Sequence, residues 1–460
     1  MKQMSVRAVI MLVITSVFVA GLCILCMFYV TDGDDWALYP ANTHIFNEGH
    51  VSKAGSITDR NGVVLSHSVD GVRKYNDDLL IRKSTLHAVG DLDGFISTGL
   101  HTSYLPQLVG FDSINGVYQF SGTGNNIKTT LDSSVCQVAL EALGNRAGTV
   151  GVYNYKTGEI ICMVSTPTYD INSQSDSKKA KDGEYKGVYI NRFLSATYTP
   201  GSTFKIITAA AGIDTFEDIY DRVYTCKGGV EIDGEWISCM GNHGKTDIKE
   251  AVAYSCNAYF SQLAVDIGKD KMMEYAEKAG FNQEFYMDGI KAETSYFNVE
   301  NTRNIDLAWA GMGQYTNMMN PLQYLTAVGA IANGGVPKKP YMVKSITAQN
   351  GLPLRQSIGQ NGSRMISKDT ADKVAELMSG AVQLSYGSWN FKGLDVCAKS
   401  GTAEVGEDKT PHAEFVGFVR NEELPLAFVV VVENGGTGRT VAGGVASKVL
   451  AAAKKSLVGE

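Results

Sequence analysis

The sequence predicts a mixed α/β protein of the α+β kind, with one sheet assembled from both ends of its folded region. Three observations carry that prediction. Residues 149–155 and 159–165, and later 413–419 and 426–432, are runs of β-branched and aromatic residues of strand length. The stretch 202–335 has apolar residues at helical spacing, with glycine breaks at Gly212, Gly268, Gly280 and Gly334. Residues 444–456 close with a further helical pattern. Strands, helices, strands and a last helix place a helical insertion beside a sheet, and a cleft can open where the first and last strands meet it.

Length and composition set the frame. A chain of 460 residues holds two or three folded units, and 44% hydrophobic against 19% charged residues describes a globular protein with a large core. The 49 glycines and 22 tyrosines suit a loop-rich mixed fold better than a helical bundle. A net charge of −7 without any Lys/Arg-rich block excludes a nucleic-acid surface, which needs a dense basic footprint.

The N-terminus departs from a soluble pattern. Lys2 and Arg7 precede an uncharged run over 8–30, and Asp32, Asp34 and Asp35 follow it. As a helix the run would be about 35 Å long, enough to cross a bilayer core. It exceeds the apolar core of a cleaved signal peptide, and bulky Leu22 before Cys23 does not suit a lipoprotein signal. The basic flank places residues 1–7 in the cytoplasm, 8–30 across the membrane and everything after Thr31 outside. Of the eight cysteines, Cys23 and Cys26 fall in this anchor and the others are scattered, so no disulfide scaffold is expected.

Residues 31–126 are predicted to form a small membrane-proximal module. Within it 55–65 reads as strand, turn and strand, with Asn61-Gly62 in the tight turn, and 70–125 is glycine-rich and irregular. A denser pattern starts near Ile127, so 127–460 is assigned to one larger domain. There 132–143 reads as a helix ended by Gly144, 156–158 as the turn of a hairpin, and 172–187 as a surface loop.

Chemistry enters through a serine with a lysine one helical turn later. A serine hydroxyl needs a base to become a nucleophile, and residues i and i+3 share a helix face. Partial burial or a neighbouring cation lowers a lysine pKa far enough for the neutral amine to serve. The pattern Ser-x-x-Lys occurs twice. The copy at 175–178 lies in the charged loop, whereas Ser202-Thr203-Phe204-Lys205 follows Pro200-Gly201 and opens an apolar run. That context holds Ser202 at a helix N-terminus, where exposed N–H groups help stabilise negative charge.

Two further elements of such sites, Ser-x-Asn and Lys-[Ser/Thr]-Gly, are each repeated. The first stands at 113–115, 255–257 and 388–390, the second at 156–158 and 399–401. Order and context leave one set: Ser202 and Lys205, Ser255 and Asn257, and Lys399-Ser400-Gly401-Thr402.

With those residues in place, the sequence resembles the class B penicillin-binding proteins over roughly residues 50–460. The likeness rests on an ordered set of segments. They are Gly55-Ser-Ile-Thr-Asp-Arg-Asn-Gly62, Tyr198-Thr-Pro-Gly-Ser-Thr-Phe-Lys205, His243-Gly244, Ser255-Cys-Asn257, Met319-Asn-Pro-Leu-Gln323, Ala332-Asn-Gly-Gly335, Ala398-Lys-Ser-Gly-Thr-Ala-Glu404 and Phe415-Val-Gly-Phe418.

The resemblance implies a penicillin-binding or serine β-lactamase-like transpeptidase domain, a central antiparallel sheet with helices. It also implies the activity of a peptidoglycan D,D-transpeptidase. Ser202 would attack the penultimate D-Ala carbonyl of a stem peptide, with Lys205 as its general base. Ser255 and Asn257 would relay protons and hold the substrate amide, and Lys399 would tune the Ser255 side. Ser400 and Thr402, on one face of a strand, would bind the substrate carboxylate, with Gly401 leaving room for close approach. Backbone N–H groups of Ser202 and Thr402 would form the oxyanion hole. An amine from a second strand would resolve the acyl-enzyme, and β-lactams would acylate the same serine. No cofactor is implied, and the expected partner is a membrane-embedded glycosyltransferase contacted through the anchor and the module beyond.

Serine stands at 400 where threonine is more frequent in the family, which keeps the hydroxyl. Cys226, Cys239 and His243, with Cys256 inside the second motif, admit two readings. They supply three zinc ligands, or they are thiols of which Cys226 and Cys239 can pair as a disulfide. No metal is assigned on this basis. Three rival activities share the motifs. A serine β-lactamase needs a deacylating base, for which Glu300-Asn-Thr-Arg-Asn304 is only a loose match. A D,D-carboxypeptidase differs in letting water resolve the acyl-enzyme. A non-catalytic scaffold or β-lactam sensor would need a dead site, yet every motif residue is present.

Overall fold

The computed structural model describes residues 6–37, 46–47, 50–51, 54–112, 117–118, 124–404, 406 and 409–459. Its first helix, Val6–Ala37, extends past the uncharged run at both ends. The portion Val6–Gly33 is long and apolar enough to cross a membrane, and its 18-residue apolar window has a mean hydropathy of 2.8 with none of it buried against the rest of the chain. So much apolar surface is unfavourable in water and satisfied in a bilayer. The helix fits a single-pass membrane anchor.

Five antiparallel strands make the sheet that positions the site. Their order is Ile160–Thr166, Gly148–Asn154, Leu426–Val432, His412–Val419 and Val396–Ala403. Segments from both ends of the domain therefore share one sheet, as the strand runs predict. Every residue of the central Leu426–Val432 is buried, so the sheet is covered on both faces. Helices Ser133–Leu143 and Val441–Val458 pack together against it, and Pro321–Ala332 packs on it as well. The last of these comes so close that a Cβ at Gly329 would lie 2.0 Å from the Tyr153 hydroxyl oxygen. Gly329→Ala is accordingly expected to destabilise the domain by roughly 1–3 kcal/mol through overpacking. Thermal denaturation would read this as a lowered Tm, and an unchanged Tm would contradict the close approach.

A second sheet has the order Pro353–Gln356, Val343–Thr347, Asn126–Thr129, Ile57–Thr58, Val64–Val69 and Val72–Tyr75. It stitches the strands between residues 57 and 75 to strands from late in the chain. The hairpin over 57–65 forms as predicted, with Gly62 at φ +88°. Asp59 accepts from the backbone N–H groups of Asn61 and Val63, and also from the Ser133 hydroxyl at 2.8 Å. Arg60 pairs with Glu159 at 3.3 Å. The turn is thereby fastened to the five-stranded sheet and its helix. Part of 70–125, irregular by sequence, is the helix Leu79–Val89, capped by Asp78 accepting from Leu80 and Ile81.

The interval 202–335 is less helical than its periodicity predicts. Gly212 is no break: it lies inside Lys205–Thr215, where a Cβ would come 3.2 Å from Leu263. Residues 224–246 form two antiparallel pairs, Tyr224–Cys226 with Gly244–Thr246 and Gly229–Ile232 with Glu235–Ser238. Asp233 and Gly234, both at positive φ, make the turn of the second pair. Strands this short carry too few residues for alternation to stand out. The loop 172–187 likewise contains a helix, Gln174–Lys181, capped by Ser173, whose polar composition hides it.

Candidate active site

Gly201 has φ +49°, a conformation glycine adopts without penalty, and starts the 3₁₀ turn Gly201–Phe204 that runs directly into the helix Lys205–Thr215. Ser202 sits on this turn, half-buried, and Lys205 is wholly buried. One turn apart, they face each other with Lys205 Nζ 3.1 Å from Ser202 Oγ. The amine also donates to Ser255 O at 2.8 Å and Asn257 Oδ1 at 2.6 Å, and lies 3.2 Å from Ser255 Oγ. A carbonyl and an amide oxygen only accept. Two N–H bonds of a neutral amine satisfy them and leave its lone pair for a serine O–H.

Ser255 lies between the helices Ile248–Ala253 and Asn257–Ile267, in the left-handed region at φ +55°. For a non-glycine residue this is uncommon, and such strain gathers at functional sites. It places Ser255 Oγ between two lysines, because Lys399 Nζ reaches it at 3.0 Å while also donating to Ser400 O at 2.9 Å. Burial first, and the Lys399 charge second, push Lys205 down to about 7. Burial alone brings Lys399 down to about 7.

Lys399 stands on Val396–Ala403, where alternation buries Lys399 and Gly401 and turns Ser400 and Thr402 toward the opening. Tyr386 steadies this strand, its hydroxyl accepting from Ser400 N and lying 3.1 Å from Ser400 Oγ. It ends a π turn, Val382–Tyr386, that prolongs the helix Lys368–Ala381. Ser202, Ser255, Asn257, Ser400 and Thr402 line one cavity of about 620 Å³, with Met240, Tyr254, Trp309 and Arg439 on its walls. Sequence patterns do not single out Tyr386 or these wall residues, which come from segments distant along the chain.

The discarded motif copies lie elsewhere. Ser175 and Lys178 are exposed on Gln174–Lys181, and Ser388 and Asn390 are exposed on the turn Ser388–Phe391. Residues 156–158 make a hairpin turn with Gly158 at φ +89°. The copy at 113–115 lies outside the described residues. Glu300 is exposed and does not line the cavity.

Beside the cavity, Cys226, Cys239, His243 and Cys256 bring their ligand atoms within 4.8 Å of one another. His243 Nδ1 is 3.6 Å from Cys226 Sγ and 3.5 Å from Cys239 Sγ, and Cys239 Sγ is 4.0 Å from Cys256 Sγ. All four cysteines of 226–397 are free thiols. Three thiolates and one imidazole are one of the common ligand sets of tetrahedral zinc, with Zn–S about 2.3 Å and Zn–N about 2.0 Å. The donor set therefore fits zinc.

The chain is similar to known proteins over most of its length. The family described as penicillin binding protein transpeptidase domain matches residues 148–452. Peptidoglycan D,D-transpeptidase PbpA of Mycolicibacterium smegmatis is 28% identical over 448 residues, spanning 88% of this chain and 89% of that protein. Among solved structures, penicillin-binding protein A of M. tuberculosis in its ceftriaxone acyl-enzyme complex superposes with a TM-score of 0.79 at 26% identity, covering 87% of this chain and 98% of the other. A D,D-transpeptidase domain from Eggerthella lenta gives 0.77 at 29% identity, covering 88% and 99%.

Proposed function

The chain belongs to the penicillin-binding protein transpeptidase family, and from that premise we propose that it is a peptidoglycan D,D-transpeptidase acting through an acyl-enzyme on Ser202. One observation carries the residue assignment: a wholly buried Lys205 amine 3.1 Å from Ser202 Oγ, with two of its other hydrogen bonds made to obligate acceptors, Ser255 O and Asn257 Oδ1. Neutral Lys205 takes the Ser202 proton as Oγ bonds to the penultimate D-Ala carbonyl carbon. The N–H groups of Ser202 and Thr402 hold the oxyanion that forms. Collapse breaks the peptide bond, Lys205 returns the proton it took through Ser255 Oγ to the departing D-Ala nitrogen, and an ester remains on Ser202. An acceptor amine attacks that ester, gives up a proton to Lys205, and restores the serine as the cross-link forms. Ser400 and Thr402 hold the donor carboxylate, Asn257 holds the substrate amide, and β-lactams acylate the same oxygen.

Relatives named as D,D-transpeptidases support this reading over its rivals. With the anchor in the bilayer, the catalytic domain faces outward, and a membrane-embedded glycosyltransferase is the partner expected against the anchor and the module beyond. A stem-peptide assay with an added D-amino acid separates the outcomes. Exchange of the terminal D-Ala for the added amine supports transpeptidation. Release of D-Ala to water alone would make the enzyme a carboxypeptidase, and rapid penicillin turnover without an adduct would make it a β-lactamase.

Zinc on Cys226, Cys239, His243 and Cys256 would tie the two strand pairs at 224–246 to the segment that carries Ser255 and Asn257. Purified protein is expected to hold about one zinc per chain, a structural stoichiometry, and Cys239→Ser is expected to lose it, as metal analysis would show. Absence of zinc with an intact mass lighter by two hydrogens would instead assign a disulfide.

A further inference from the structure

Glu414 is fully buried and meets no cation among the described residues. It lies on His412–Val419, directly opposite Gly401 in the register. Because Gly401 has no side chain, the Glu414 carboxyl reaches the turn that carries Ser202, with Oε2 3.4 Å from Thr203 Oγ1. A Cβ at 401 would lie 2.8 Å from Glu414 Oε2 and 2.9 Å from Thr203 Cγ2. Thr203 has already committed its own proton, since Oγ1 donates to Pro200 O at 2.6 Å. Its backbone carbonyl accepts from the Tyr324 hydroxyl at 2.9 Å. Thr203 Oγ1 is left offering lone pairs only.

A carboxylate facing that oxygen would bring acceptor against acceptor, whereas a carboxylic acid brings one O–H. Burial without a cation holds Glu414 well above the usual carboxylate range, in agreement. The two buried lysines are engaged elsewhere, Lys205 with Ser255 and Asn257, Lys399 with Ser255 and Ser400. A negative charge here would also sit next to the neighbours of Ser202 and Thr402, where the oxyanion must be stabilised.

We propose that Glu414 is a positioning residue for acylation, the neutral acid donating a hydrogen bond to Thr203 Oγ1 and so fixing the turn that presents Ser202 to the strand Val396–Ala403. The inference rests on Ser202 as nucleophile. The test uses the full-length protein in detergent with a fluorescent penicillin, and wild-type labelling that disappears in Ser202→Ala secures that underlying reading first. Glu414→Gln keeps shape, neutrality and an N–H donor, and is expected to acylate at close to the wild-type rate. Glu414→Ala is expected to slow acylation by roughly ten- to hundredfold, the size of effect that small misplacements of reacting groups produce. Thr203→Val should lose a similar factor, and the double variant no more than either single one. The infrared difference between wild type and Glu414→Gln at neutral pH should contain a protonated-carboxyl band. The proposal is overturned if Glu414→Ala acylates like wild type, if Glu414→Gln is as slow as Glu414→Ala, or if the infrared difference shows a carboxylate. The infrared measurement decides even where the alanine variant does not fold.

Discussion

Lys205→Ala is expected to slow acylation of Ser202 by roughly 10²–10⁴-fold, the span contributed by a positioned general base, with little change in noncovalent penicillin binding. The expectation follows from contacts that no other group among the described residues supplies. Lys205 Nζ is within 3.1 Å of Ser202 Oγ, and Lys399 contacts Ser255 and Ser400 rather than the nucleophile. Lys205→Arg should not restore the rate, because a guanidinium does not give up its proton in this range.

The pH profile follows with a definite sign. The amine is a base only when neutral, and its pKa is lowered to about 7. Acylation should therefore rise as pH increases, mostly between about pH 6 and 8, then level off. Part of that lowering comes from the Lys399 charge, so Lys399→Ala should raise the Lys205 pKa and move the rise to higher pH. Rates of penicillin labelling against pH, in wild type and Lys399→Ala, check both directions. A profile that falls through pH 7, or one that shifts downward in Lys399→Ala, would contradict this electrostatic account.

How much of this is legible without coordinates depends on how local each feature is. Strand runs at 426–432 and the apolar helix behind Ser202 are strong periodic signals, so the sheet and the choice of Ser202 over Ser175 can be read directly. The third motif needs context, because only 399–402 belongs to a long buried strand while 156–158 is a turn. Residues 224–246 escape because strands of three or four residues leave no period, although Asp233-Gly234 is a recognisable hairpin turn. Tyr386, Trp309 and Arg439 reach the cavity only through tertiary packing, and nothing in their neighbours announces it. Glu414 is hidden differently, as one acid in a strand otherwise apolar from Ala413 onward, whose meaning depends on a glycine across the register and a threonine far away in the chain. The cysteine cluster is half legible: Cys226, Cys239 and His243 stand close in sequence, while the approach of Cys256 is set by the fold.

Ser202→Ala should remove covalent chemistry entirely, a larger loss than any other substitution at the site, since no other hydroxyl among the described residues lies as close to Lys205 Nζ. Ser255 Oγ, at 3.2 Å, is the nearest competitor and is held against Lys399. Intact-mass spectrometry of the full-length protein incubated with penicillin tests this most directly. Opening the β-lactam ring expels no fragment, so wild type should gain the mass of one whole penicillin and Ser202→Ala none. A wild type that gains no mass, or an adduct that persists in Ser202→Ala, would contradict the assignment of Ser202 as the acylated nucleophile.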